Sequence, residues 1–173
     1  GMNTEDSSVE EGKISYDIYF SALTPEKYDM ANVFINVEAQ KDFYPGYPII
    51  KRGIYYGGRM ISRQYGTEFA HSHYEKLKKV YSIWICTNAP KYRQNTITSY
   101  SIVERNIVGN VKEKKRNYDL LTVIIICLGT EKDENYRGIL KLLDVLLCSK
   151  KKMVERKRVL EQDFAIEMSR ELE

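Results

Sequence analysis

Ten residues, LLTVIIICLG at positions 120–129, set the first condition on the fold. They are too few to cross a bilayer, which asks for about 20 apolar residues in a helix. Their Ile, Val and Thr content suits an extended chain. The run reads as a buried strand, and a buried strand needs neighbours to pair with and helices to cover it.

The chain supplies both. KISYDIYFSAL alternates with a period of two, with Ile14, Tyr16, Ile18 and Phe20 expected on one face and Ser15, Asp17 and Tyr19 on the other. ANVFINVEAQ alternates again, and the two segments can pair as a long-looped hairpin. YSIWICTNA and NTITSYSIVER are further strands. After the turn DFYPGYP, residues 50–64 have helical spacing. Gly53, Gly57 and Gly58 weaken that helix unless it lies close against the sheet. EFAHSHYEKLKKV is expected to be a second helical piece.

YRGILKLLDVLLC places apolar residues at 139, 140, 142, 143, 146 and 147, an amphipathic helix. The tail carries a sparser stripe at 153, 154, 160, 164, 168 and 172, suited equally to a partner subunit or to its own domain. The expected organisation is a flexible lead-in at 1–12, one α/β domain at 13–149 with a mixed sheet flanked by helices, and a C-terminal helical extension at 150–173.

With 173 residues, 43% apolar and 29% charged, the chain has the composition of a single soluble domain with a real core. The net charge of +3 is too small to establish a polyanion partner. Basic residues nevertheless cluster at 51–63, 76–79, 112–116 and 150–158, where they can hold phosphates or simply face solvent. Fourteen tyrosines suit half-buried sheet positions and wet clefts. Cys86, Cys127 and Cys148 form no CxxC pair and sit in apolar runs, as buried thiols of a cytoplasmic protein do.

In VFINVEAQKD the period of two puts Phe34, Asn36, Glu38 and Gln40 on one face. If the hairpin register is right, Asp17 joins Glu38 there. Carboxylates on neighbouring strands can share a hard divalent cation, which takes oxygen ligands, waters and substrate oxygens. The Ala39 carbonyl can add a ligand, and Gln40 can hydrogen-bond a water or a phosphate. Spacing alone equally suits two acids paired with Lys or Arg on a solvated face. On the following helix Arg52, Tyr56, Arg59 and Arg63 fall at i, i+4, i+7 and i+11 and share a face, a grouping that can grip phosphates.

The segments YDIYF, VFINVEAQKDFYPGYPIIKRGIYYGGRMISRQYGTEF, YEKLKKVYSIWIC and NTITSYSI together resemble the PD-(D/E)xK nuclease family transposases, related to the recombination-promoting nucleases. The resemblance runs from about Lys13 to Leu147. It implies a restriction-endonuclease-like fold and Mg²⁺- or Mn²⁺-dependent hydrolysis of DNA phosphodiesters. It makes Asp17 and Glu38 the metal-binding acids, with the Ala39 carbonyl, and puts Gln40 in the slot the wider superfamily fills with lysine. It raises Arg52, Tyr56 and Gln64 as nucleic-acid contacts beside Arg59 and Arg63.

The family usually has a helix before the motif aspartate that often contributes a further acid, for which Glu10 or Glu11 would have to substitute. Only about sixteen residues precede Asp17, too few for that helix and the first strand. The alternative expectation is therefore a shortened, inactive member that binds DNA or oligomerises. A homodimer is possible, and no membrane partner is expected. The remaining motifs point elsewhere: His71 and His73 lack partners at metal-ligand spacing, Gly57-Gly58 lacks the Lys-Ser/Thr of a phosphate loop, and Trp84 reads as core.

Overall fold

The computed structural model describes residues 5–8, 12–25, 30–148 and 152–166. Strands β1 (Glu5–Ser8) and β2 (Gly12–Ser15) form an antiparallel pair where a loose lead-in was expected. Main-chain pairing alone accounts for it, since a ladder needs no apolar residues. Glu10 and Glu11 lie outside the described residues.

The main sheet is built from β3 (Ile18–Pro25), β4 (Met30–Asp42), β5 (Val80–Asn88), β6 (Thr96–Ser101) and β7 (Leu121–Cys127). Their spatial order is β3-β4-β5-β7-β6. The β4–β5 and β5–β7 pairs are parallel, whereas β3–β4 and β6–β7 are antiparallel. The sheet is thus mixed, and the apolar run 120–129 supplies an interior strand, as its composition demanded.

Helix α1 (Ile49–Ser62) covers one face. It begins after Pro48, whose ring prefixes the backbone at φ −65°, and its buried stripe of Ile49, Gly53, Tyr56, Gly57 and Met60 has helical spacing. Gly53 and Gly57 let it approach closely: a Cβ at Gly53 would stand 2.6 Å from Val123 Cγ1, and one at Gly57 only 2.1 Å from Leu121 Cδ1. This face of the sheet presents Phe34, Val80, Trp84, Cys86, Val123, Ile125 and Cys127 to the helix. A short α2 (Lys115–Tyr118) precedes β7. On the opposite face α3 (Gly138–Leu147) packs Leu140 and Leu143 against Ile85, Ile126 and Leu128.

The tail helix α4 (Met153–Phe164) docks on its own domain rather than standing free. Leu160 is buried, Lys141 Nζ bonds Asp163 Oδ2 at 2.8 Å, and Arg156 Nη2 donates to the Leu146 carbonyl at 2.7 Å. Stripe positions 168 and 172 lie outside the described residues.

Two expectations fail for local reasons. KISYDIYFSAL is not one strand, because it breaks at Tyr16–Asp17. The break shifts the alternation by one, so Tyr16 and Tyr19 are buried while Ile18 is 56% exposed. EFAHSHYEKLKKV is not a helix but turns ending in a single 3₁₀ turn at Tyr74–Lys76. His71 there has φ 55°, a left-handed conformation that an α-helix cannot pass through. Among the described residues no helix is long and apolar enough to cross a membrane.

Candidate active site

The β3–β4 register pairs Ile18 with Val37, so the next step of the ladder sets Asp17 opposite Glu38. The chain bends at Asp17, and its N–H donates to Glu38 Oε1 at 3.1 Å instead of entering a ladder. In return Asp17 Oδ2 accepts the Ala39 N–H at 3.0 Å. The two carboxylates are therefore locked to each other's backbone. Asn36, two residues before Glu38 and on the same face, donates from Nδ2 to Glu38 Oε1 at 3.1 Å. Its own Oδ1 is buried with no hydrogen-bond partner among the described residues.

Glu38 is 4% exposed, whereas Asp17 is open to solvent. Burial, chiefly, holds the Glu38 carboxyl above its ordinary value of 4.5, and the neighbouring Asp17 charge adds to the rise. The Asp17 N–H, the Asn36 amide and the Arg52 charge oppose it. Two acids side by side in this setting favour the arrival of a cation or a proton.

Arg52 approaches from α1. Its guanidinium carbon lies 5.1 Å from the ring centroids of both Tyr56 and Trp84. Nη2 donates to the Tyr56 hydroxyl at 2.8 Å and Nη1 to the Tyr47 hydroxyl at 3.1 Å. Burial works against the Arg52 charge, but these bonds outweigh it and hold the group above its ordinary value. Trp84 pairs in register with Glu38 across β4–β5, and its Nε1 donates to Ser82 Oγ at 2.9 Å. The acids, Arg52 and two aromatic rings thus share one face beneath α1.

The other expected residues divide. Gln40 lies on the Glu38 face, half-buried beside Cys86, and makes no side-chain hydrogen bond among the described residues. Arg63 sits over the Tyr19 ring at 5.4 Å. Arg59 is only 4% exposed, with Nη1 on the Tyr55 hydroxyl at 3.1 Å, so its charge is turned inward rather than offered to a ligand. Gln64, expected among the nucleic-acid contacts, is corrected to a brace. Nε2 donates to the Lys78 carbonyl at 2.9 Å and Oε1 accepts the Lys78 N–H at 2.8 Å. Both ends of its amide are occupied in holding the approach to β5. His73 pairs with Glu75 at 3.0 Å, as a surface turn would.

Asn36 and Tyr47 belong to the site and carried no role in the sequence reading. The period of two marks Asn36 as facing inward with Glu38, but Tyr47 lies in an irregular turn where no periodicity points.

Among the described residues no group of three or more His, Cys, Asp or Glu side chains is placed to hold a metal ion. A cation here would have two carboxylates, with water and substrate oxygens completing its shell. That all-oxygen, two-carboxylate set fits Mg²⁺ or Mn²⁺ and not a soft metal. The unpartnered Asn36 Oδ1 adds an oxygen whose hydrogen-bonding capacity is unused. No family model, curated protein or solved structure matches the chain.

Proposed function

We propose that the chain is a metal-dependent DNA endonuclease of the transposase-associated PD-(D/E)xK type, built on a restriction-endonuclease-like core and working in the cytoplasm. The observation that carries the reading is the reciprocal bonding of Asp17 and Glu38, at 3.1 and 3.0 Å, on adjacent strands. It agrees with the sequence resemblance, in which these same residues are the metal-binding acids.

Asp17, Glu38 and the Ala39 carbonyl would hold Mg²⁺ or Mn²⁺, which when bound stabilises charge on phosphoryl oxygens and acidifies water. The protein's own contributions follow from its contacts. The Asp17 and Asn36 donors fix the Glu38 carboxylate in one orientation, and the bent backbone fixes Asp17. Gln40 carries a neutral amide, so it orients a water or a phosphate oxygen by hydrogen bonding. Arg52, kept cationic and steered by Tyr47 and Tyr56, offsets negative charge gathering on the phosphate. Arg63 borders the path of the DNA backbone, whereas Tyr56, expected as a nucleic-acid contact, is buried and acts only by steering Arg52. Cutting both strands would engage two copies, one per strand.

The burial of Glu38 favours a second reading, an inactive member in which the acid pair has become structural and the domain only binds DNA or oligomerises. Incubation of supercoiled plasmid with and without Mg²⁺ or Mn²⁺ separates the two. The nuclease reading expects metal-dependent nicking that Glu38→Ala abolishes while DNA affinity persists. Wild-type rates in Glu38→Ala would remove Glu38 from the chemistry. Absence of both cleavage and a metal-dependent rise in unfolding temperature would leave the inactive reading standing.

A further inference from the structure

Beyond the acid pair, β4 ends at Asp42 and β5 at Asn88, in register across a parallel pair. Crevices at the carboxyl ends of parallel strands are where α/β sheets take their ligands. Here the crevice is a cavity of about 530 Å³ lined by Asp42, Phe43, Tyr44, Asn88, Ala89, Pro90 and Tyr92. That volume is within the range of small-ligand sites, about 300–1,000 Å³.

Its chemistry is specific. Tyr44 and Tyr92 are 64% and 78% exposed although each is a large ring on a polar surface. Arg93 lies 5.3 Å from the Phe43 ring and 5.8 Å from the Tyr92 ring. Lys91, exposed, precedes Tyr92 in the chain. Two exposed side chains of the lining are polar and joined: Asn88 Nδ2 donates to Asp42 Oδ1 at 3.2 Å. The wall carrying Tyr92 is braced, since Gln94 Nε2 donates to the Ala89 carbonyl at 3.0 Å and Thr96 Oγ1 to the Arg93 carbonyl at 2.6 Å.

Exposed rings interleaved with cations are the surface on which unpaired bases stack while their phosphates meet positive charge. We propose that this cleft holds an unpaired nucleobase of a DNA strand, stacked on Tyr44 and Tyr92, with its phosphates on Lys91 and Arg93. The Asp42 carboxylate accepts hydrogen bonds and donates none, so it can take an amino or ring N–H of the held base. Asp42 lies four residues beyond Glu38 on the same face, about 13 Å along the strand. The held base is thus within a few nucleotides of the acid pair. The inference deepens the nuclease reading by naming the DNA structure it recognises, while base binding itself needs no cleavage.

The test is fluorescence anisotropy with a labelled oligonucleotide of mixed sequence, single-stranded or annealed to its complement, in chelator so that nothing is cut. Wild-type protein is expected to bind the single strand about tenfold or more tighter than the duplex. Tyr92→Ala and Tyr44→Ala are expected to weaken single-strand binding by about five- to a hundredfold, the contribution of a lost stack. Tyr92→Phe, which keeps the ring, stays near wild type. Because both tyrosines are exposed, unchanged thermal unfolding shows that each variant is folded.

Single-strand affinity indifferent to both tyrosines, or equal for single strand and duplex, overturns the proposal even if plasmid is cut. Tyrosine-dependent binding in a protein that never cuts supports the cleft and ends the nuclease reading instead.

Discussion

Three glycines of α1 offer a measurement of how tightly the helix that carries Arg52 is pressed onto the sheet. Alanine raises helix propensity by about 1 kcal/mol at any of them. What differs is the space a methyl would enter. At Gly58 nothing stands within 4 Å, so Gly58→Ala should stabilise by about 1 kcal/mol. At Gly53 the methyl meets Val123 Cγ1 at 2.6 Å and Trp84 Nε1 at 3.0 Å. Val123 is β-branched and buried and Trp84 is tied to Ser82, so neither yields cheaply.

Overpacking of this kind costs about 1–3 kcal/mol, and Gly53→Ala should end between neutral and about 2 kcal/mol destabilised once the propensity gain is set against it. Gly57→Ala falls between the two, because its one close neighbour is the tip of the half-buried Leu121, which can swing aside. Urea unfolding at unchanged slope reads all three, and the two extremes should differ in melting temperature by about 2–12 °C. Trp84, the single tryptophan, reports any lifting of the helix by its emission. If Gly53→Ala proves as stable as Gly58→Ala, the helix is not held where it is described, and the approach of Arg52 to Trp84 and Glu38 falls with it.

Two further outcomes follow from the buried charges. Because burial and the Asp17 charge hold the Glu38 carboxyl above 4.5, the folded protein binds that proton more tightly than the unfolded chain, and the stability this group costs is incurred as pH rises through the window above 4.5. In chelator, the stability of Glu38→Gln relative to wild type should therefore increase from acid to neutral pH; a difference that stays flat or shrinks would contradict the assignment. Asp119, 4% exposed, takes Lys79 Nζ at 2.6 Å and Lys115 Nζ at 3.5 Å. Asp119→Ala should cost about 3 kcal/mol, the low end for a broken buried pair because Lys79 keeps some water, and Lys79→Met in the same chain should restore part of it in chemical denaturation.

The acid pair was legible because a period of two and a hairpin register are both properties of the chain itself, so Asp17 and Glu38 meet wherever those strands pair. The buried strand 121–127 was legible for a similar reason, its composition allowing little else. Arg59 and Gln64 were not, because helical spacing gives direction around an axis and not depth beneath neighbouring rings. Which face of β3 is buried escaped the sequence, since the bend at Tyr16–Asp17 brings Tyr16 onto the Tyr19 face and leaves Ile18 exposed. The turns at 65–79 were misread because a left-handed residue such as His71 leaves no trace in hydrophobic pattern. Tyr44 and Tyr92 come together only through the β4–β5 register, which joins residues nearly fifty positions apart.

That same bend has a thermodynamic meaning. β3 is an outer strand of the sheet, held along one side by β4 alone, and Asp17 directly precedes its first residue. Fraying of this margin withdraws one carboxylate and strips the other of a donor together, so strand order and ion affinity form one linked equilibrium. A bound cation would then slow amide exchange along Ile18–Phe20 before it altered anything in the interior, and loosening that margin would weaken the cation in equal measure.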